Sequence, residues 1–204
     1  YTDLIAKENC ENEKVREYSV VLLRQSERLK KLIDDLVEAS KASTGNLEIH
    51  LAPCDACVFL SQAAGEYAER LAAAQLQLVT KMPENPVSIM ADGRRLGRVF
   101  DNLMNNICKY SQSGTRVYLT LEEQNGEAMF SFKNTSREEL NISEEELMER
   151  FVRGDSSRNT EGSGLGPNIA RSLMEVQHGQ LQLLVDGDLF KVTCSFRRTA
   201  APAG

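Results

Sequence analysis

The strands of this chain come in hairpins, and that limits the fold more than any other feature. TRVYLTLEE (115–123) and EAMFSFKN (127–134) alternate apolar and polar residues and are joined by Gln124-Asn125-Gly126. Asn-Gly between alternating runs is a strong short-range hairpin signal, because both residues tolerate positive φ. QLQLLVD (180–186) and LFKVTCSF (189–196) pair in the same way through Gly187. Strands joined this tightly are antiparallel neighbours, which excludes a doubly wound parallel sheet. From residue 47 the order is strand–helix–strand–strand–helix–strand–strand–loop–helix–strand–strand. The expected fold is α+β: a mixed sheet packed against helices in a two-layer sandwich, preceded by a long bundle-forming helix.

That leading helix spans 11–43. Val15, Tyr18, Leu22, Leu29, Leu32, Leu36 and Ala39 recur at alternating spacings of three and four, with Gln25 in the one polar slot. This is a heptad seam of the coiled-coil or four-helix-bundle kind; a lone amphipathic helix lying on a globular core is the alternative. YTDLIAKENC fits the tail of another helix, with CENE as the turn. Thr44-Gly45-Asn46 ends the pattern, so we divide the chain into a truncated helical hairpin at 1–45, a globular domain at 46–198 and a disordered tail at 199–204. Within the domain, LEIHLA (47–52) alternates like a strand, and a helix begins at the N-cap Asp55. LQLVTK and VSIMA are short strands around the turn MPENP. A further helix runs from Asp92 to about Ser111, EEELMERF is a short helix in the polar stretch 135–165, and another helix runs from near Gly166 to about Gln177.

A net charge of −6 argues against a nucleic-acid binder, though not against a nucleotide site. The five cysteines include one close pair, CDAC, with no second pair to complete a zinc site, and they suit reduced thiols in the cytosol. No run approaches the ~18 apolar residues of a membrane helix. The chain begins at Tyr1 and is expected to be a piece of something longer.

Two stretches carry chemistry. In DNLMNNICKYS (101–111), Asn102, Asn105, Asn106 and Lys109 share one side of a helix, with Arg98 a turn earlier. Leu96, Val99, Leu103, Ile107 and Tyr110 point the other way. A strip of amides with two cations suits a hydrated metal ion and phosphates; in isolation it also suits a wet surface. In RGDSSRNTEGSGLGPNIARSLM (153–174), Gly162, Gly164 and Gly166 precede a helix whose N-terminal amides can face an anion. No GK[ST] follows, and a polar loop precedes, so neither the Walker pattern nor the dinucleotide fingerprint applies.

Together, at this separation, the two stretches resemble the catalytic ATP-binding region of sensor histidine kinases, which shares its fold with DNA gyrase, the Hsp90 chaperones and the mismatch-repair ATPases. The resemblance covers nearly the whole chain. It implies that DNLMNNICKYS is the family's N box: Asn106 ligates Mg²⁺ bridging the ATP phosphates, Asn102 lies on the phosphate side, Lys109 contacts phosphate and Tyr110 packs near the nucleotide. ERFVRGDSSR resembles the F box and the residues just after it, with Phe151 its aromatic and Arg153 the cation reaching the γ-phosphate. Gly162, Gly164, Leu165 and Gly166 of GSGLG match the second glycine box, the hinge of the ATP lid. Arg153 and Lys109 would be the catalytic cations, and Arg98, Arg158 and Arg171 solvated surface charges. The leading helix resembles the second helix of the dimerisation and phosphoacceptor hairpin.

Several positions depart from the family. No acceptor-histidine box is present: His50 lies in an expected strand and His178 at a helix end, and each is read as structural or exposed. FKNTSREE places Asn134 where an aspartate normally accepts from the adenine amine; an amide oxygen can still accept that bond. Pro167-Asn168 replaces an aliphatic and a small residue. The resemblance implies an ATP- and Mg²⁺-dependent protein histidine kinase whose parent dimerises through the bundle and passes phosphoryl to a response regulator. This piece is expected in the cytoplasm, with the parent anchored in the bacterial inner membrane through parts outside the chain. The rivals are a serine kinase of the anti-sigma type, which lacks a bundle hairpin, and a degenerate module that signals through its helices.

Overall fold

The computed structural model describes residues 13–139 and 166–199. The expected helix EEELMERF lies outside them. The described elements follow the expected order: α1 (Glu13–Ser43), β1 (Ala52–Asp55), α2 (Ala56–Ala73), β2 (Gln77–Lys81), β3 (Ser88–Ala91), α3 (Gly93–Tyr110), β4 (Arg116–Gln124), β5 (Glu127–Thr135), α4 (Gly166–Val176), β6 (Gln180–Asp186) and β7 (Leu189–Arg197). Five strands form a sheet in the order β2-β4-β5-β7-β6, while β1 and β3 pair in a separate two-stranded ribbon. Within the large sheet β2 runs parallel to β4 and all other pairs are antiparallel, so the sheet is mixed.

Local sequence explains most boundaries. The β4–β5 turn places Asn125 at φ 54° and Gly126 at φ 79°, the pair of positive angles that a two-residue turn with native strand twist requires. Asp55 caps α2 by accepting from the Cys57 amide at 2.9 Å, satisfying an amide that has no partner inside the helix. LEIHLA is the exception: the strand begins only at Ala52, and the segment before it has no ladder partner. Its alternation is real, since Leu47 and Ile49 are half-buried between exposed neighbours. However, the His50 amide donates to the Asp92 carboxylate at 3.0 Å instead of to a strand. Period-two burial here marks an extended segment lying on the domain.

One face of the sheet is apolar and faces the helices. Val117, Leu119 and Leu121 of β4, Phe130 and Phe132 of β5, and Val192, Cys194 and Phe196 of β7 are buried there. Helix α3 brings Leu96, Val99, Phe100, Leu103 and Ile107 onto them. Phe100 sits edge-on between Phe130 and Phe132, with ring centroids 5.0 Å away in each case, a favoured aromatic geometry.

Helix α1 is 31 residues long and packs against α4. Its seam is largely exposed, Tyr18 at 65% and Leu36 at 60%, which is not how an amphipathic helix lies on a core. No helix among the described residues is long and apolar enough to cross a membrane.

Phe100→Ala is expected to lower the unfolding free energy by about 3–5 kcal/mol, the usual cost of emptying a buried aromatic site. Val58→Ala, on the exposed side of α2, should stay within about 0.5 kcal/mol. Urea denaturation followed by circular dichroism measures both.

Candidate functional site

Helix α3 is set in place at its N-terminus. The Asp92 carboxylate accepts from the amides of Arg95 at 3.1 Å and His50 at 3.0 Å, while the Asp92 amide donates to Gln177 Oε1 at 2.9 Å. Gln177 in turn donates through Nε2 to the Leu173 carbonyl at 2.8 Å, which ties α3 to the end of α4. Burial alone would raise the Asp92 carboxyl, but the amides of His50 and Arg95, the Arg95 charge and the Arg94 amide outweigh it and hold the group below its ordinary value.

At about 100° per residue, Arg95, Arg98, Asn102, Asn106 and Lys109 fall along one strip of α3. The strip is not the open wet surface that its composition allows. Glu38, buried near the end of α1, pairs with Arg95 Nη1 through Oε1 and lies 2.6 Å from Arg98 Nε through Oε2. Arg98 is therefore ion-paired with α1 and not a solvated charge, because α1 lies over this part of the strip. Arg171 does sit at the surface, paired with Glu175 one turn on at 2.9 Å; Arg158 lies outside the described residues.

The next turn is buried and under-satisfied. Asn102 is 8% exposed, and its Nδ2 has no hydrogen-bond partner among the described residues. Gly166, the first residue of α4, faces it so closely that a Cβ there would lie 3.3 Å from Asn102 Oδ1. A side chain at 166 would thus crowd Asn102, and the glycine keeps the α4 N-terminus against the strip. Asn106 and Lys109 are half-buried; Lys109 Nζ stands 4.7 Å from the Tyr110 ring centroid, and Tyr110 is partly exposed at the rim. The apolar side of α3 thus ends one turn earlier than the periodicity suggests.

Asn105 has a different task. Its Oδ1 accepts from Arg70 Nη2 of α2 at 2.8 Å, and its Nδ2 donates to the Asp101 carbonyl at 2.6 Å. Arg70 also lies over the Tyr67 ring at 4.7 Å, and the Tyr67 hydroxyl reaches the Asp101 carbonyl and carboxylate, both at 3.2 Å. This cluster fixes the back of α3 to α2. Burial first, then the Asp101 charge, pushes the Tyr67 phenol well above its ordinary value despite Arg70.

The far wall is the end of β5. Asn134 is 4% exposed, with Nδ2 donating weakly to the Thr135 carbonyl at 3.4 Å. Backbone bonds zip this wall to the end of α3: Gln112 N to Thr135 O and Arg137 N to Tyr110 O, each 2.9 Å. Ser111, between them, is buried with an unpartnered Oγ. Asn102, Asn106, Lys109, Tyr110 and Gly166 therefore converge along α3 and the start of α4, with Asn134 on the strand joined to their far end. Phe151, Arg153, Gly162, Gly164 and Leu165 lie outside the described residues. Pro167 falls in the first turn of α4, where the missing N–H leaves no intrahelical bond unmade. Both histidines are exposed, and among the described residues no group of His, Cys, Asp and Glu could hold a metal.

Sequence reasoning missed Glu38, Arg70 and Ser111. Nothing local marks Glu38, which looks like any surface charge in VEASKAS, and Arg70 finds Asn105 only after α2 and α3 have packed.

A mixed sheet with helices on one face, and an α3 strip carrying Asn102 against the glycine-led start of α4, defines an α+β domain. Residues 91–199 match the model for histidine kinase-, DNA gyrase B- and HSP90-like ATPases. The signal transduction histidine-protein kinase BaeS of Escherichia coli K12 is 31% identical over 155 residues, covering 75% of this chain and 33% of BaeS. Full-length ShkA in complex with AMPPNP matches with TM-score 0.81 at 23% identity, over 99% of this chain and 43% of ShkA. ThkA in complex with the response regulator TrrA matches with TM-score 0.71 at 16% identity, over 97% of this chain and 55% of the ThkA chain. At those identities the two structures speak for the fold alone. The chain spans roughly a third of the length of the curated relatives it matches, 33% and 38% for two of them. It belongs to this ATPase family, as the catalytic ATPase region of a sensor histidine kinase.

Tyr67→Phe should cost about 1 kcal/mol, the net worth of one hydrogen bond. Since the folded phenol titrates above the unfolded one, the stability it adds is complete below pH ~10 and fades as pH rises towards the folded value. Urea midpoints of both proteins at pH 8 and 11 should therefore converge at the higher pH.

Proposed function

We propose that the chain binds Mg-ATP along the α3 strip and the start of α4, and that in the intact protein it serves transfer of the γ-phosphoryl group to a histidine and then to a response-regulator aspartate. The observation that carries this reading is the orphaned Asn102 Nδ2, buried opposite Gly166 at a helix N-terminus. Buried amides almost always have partners, so an unpartnered amide donor on a side chain packed beside a helix start suits an anion supplied from outside.

The donor set fits the ligand. Mg²⁺ takes oxygen ligands and keeps several waters, so the Asn106 amide oxygen, together with phosphate oxygens, is a suitable first contact. When bound, Mg-ATP supplies the transferable phosphoryl group. Asn102 would donate to phosphate through the amide that now lacks a partner. Lys109 would neutralise phosphate charge, joined by Arg153, while Phe151 flanks the nucleotide and Gly162, Gly164, Leu165 and Gly166 form the lid hinge. Asn134 would accept from the adenine amine through its amide oxygen. Tyr110 would pack at the rim.

In this reading residues 46–198 are the catalytic ATP-binding domain and α1 is the second helix of a dimerisation hairpin. The exposed seam through Tyr18, Leu22, Leu29 and Leu36 supports a homodimer in the intact protein. The ThkA–TrrA complex supports a response regulator as partner. The phosphoryl acceptor would be a histidine outside this chain. One observation favours a degenerate module instead: the residue that would meet adenine is a neutral asparagine whose Nδ2 bonds only weakly, at 3.4 Å.

Calorimetric titration of Mg-ATP into the chain and into Asn106→Ala tests the reading. Uptake by the wild type, weakened about tenfold or more in the variant by loss of one charge-linked ligand, is the expected result. No heat from a folded wild type would leave the helices as the only signalling element.

A further inference from the structure

The α3 strip is shared. Its last turns face the proposed nucleotide site, and its first turns are held by α1 through one carboxylate. Glu38 is buried between Arg95 and Arg98, and Asn102 follows Arg98 by one helical turn. Helix α1 also packs on α4, whose first residue, Gly166, faces Asn102. The bundle helix thus touches both elements that carry the site.

We propose that Glu38 is a latch that docks α1 on the ATP-binding domain, and that nucleotide occupancy and docking oppose each other through Arg98. The coupling rests on the Mg-ATP reading above; the latch itself rests on the ion pairs. A buried ion pair roughly balances desolvation against attraction, so it contributes little net stability, whereas removing one partner strands the other charge in the interior. This balance is the finer here because Glu38 Oε2 and Arg95 Nε, though ion-paired, lack aligned hydrogen-bond partners. Undocking returns all three groups to water at small cost. A triphosphate one turn along the strip adds negative charge that repels Glu38 and attracts Arg98, which biases the pair towards release. Linkage then requires the converse: loosening the latch tightens nucleotide binding by the same factor that nucleotide loosens the latch.

Hydrogen exchange across residues 34–43 reads docking directly, and Mg-ATP calorimetry reads the coupling. Glu38→Gln should speed exchange in that segment while β5 and β7 keep wild-type protection, and should tighten Mg-ATP about fivefold or more. Wild-type protein given Mg-ATP should show the same local speeding. Arg95→Gln, which breaks the other end of the latch, should reproduce the exchange change. Unaltered exchange in both variants overturns the latch. Faster exchange with unaltered Mg-ATP affinity overturns the coupling and keeps the latch. If neither wild type nor variant takes up Mg-ATP, the nucleotide reading and the coupling fall together, and exchange without nucleotide still decides the latch.

Discussion

Helix α3 is polar on one side and apolar on the other, and its polar side is only partly covered. The apolar side presses Phe100 between Phe130 and Phe132, and this contact fixes the rotation of the helix. Everything on the strip then has to be satisfied where it lands. Arg95 and Arg98 receive Glu38, Asn105 receives Arg70, and Asn102 receives nothing through Nδ2. Since the sheet dictates the rotation, the partly covered groups take partners from α1 and α2, and the buried Asn102 amide carries a cost.

The same constraint explains how much of the fold could be read from the sequence. Hairpins and caps are local: Asn125-Gly126 and Asp55 act on neighbours a few residues away, so their residue types announce them. The seam of α1 is legible for the same reason, as a spacing within one helix. LEIHLA misleads because alternation reports which side of an extended segment is covered, not whether a strand partner exists. The partner of His50 is the Asp92 carboxylate, 42 residues on, and no pattern within the segment could show it.

The site divides along the same line. Asn102, Asn106 and Lys109 share a face by spacing alone, and Gly166 stands out by its place before a helix, so the structure brings together residues that sequence singles out. Asn105 looks equivalent to its neighbours and is not, since Arg70 occupies it from a helix 35 residues away. Arg98 looks like a surface charge until α1, from far earlier in the chain, is placed over it. The sequence misleads where a residue's environment depends on another element's position, which spacing cannot encode.

The unpartnered groups also suggest how the domain keeps its site ready. An orphaned buried polar atom costs about 1–3 kcal/mol, against a domain stability of about 5–15 kcal/mol. Asn102 Nδ2 and Ser111 Oγ together therefore take a noticeable share of the net stability of the fold. A ligand that supplies the missing partners recovers that free energy on binding, without having to move α3. Asn134 fits the same logic from the other direction. At 4% exposure, with no cation among its hydrogen-bond partners in the described residues, a carboxylate there would bring a buried charge into the empty domain. The neutral amide avoids that cost. The packing of α3 on the sheet thus fixes the positions of these groups before any ligand arrives.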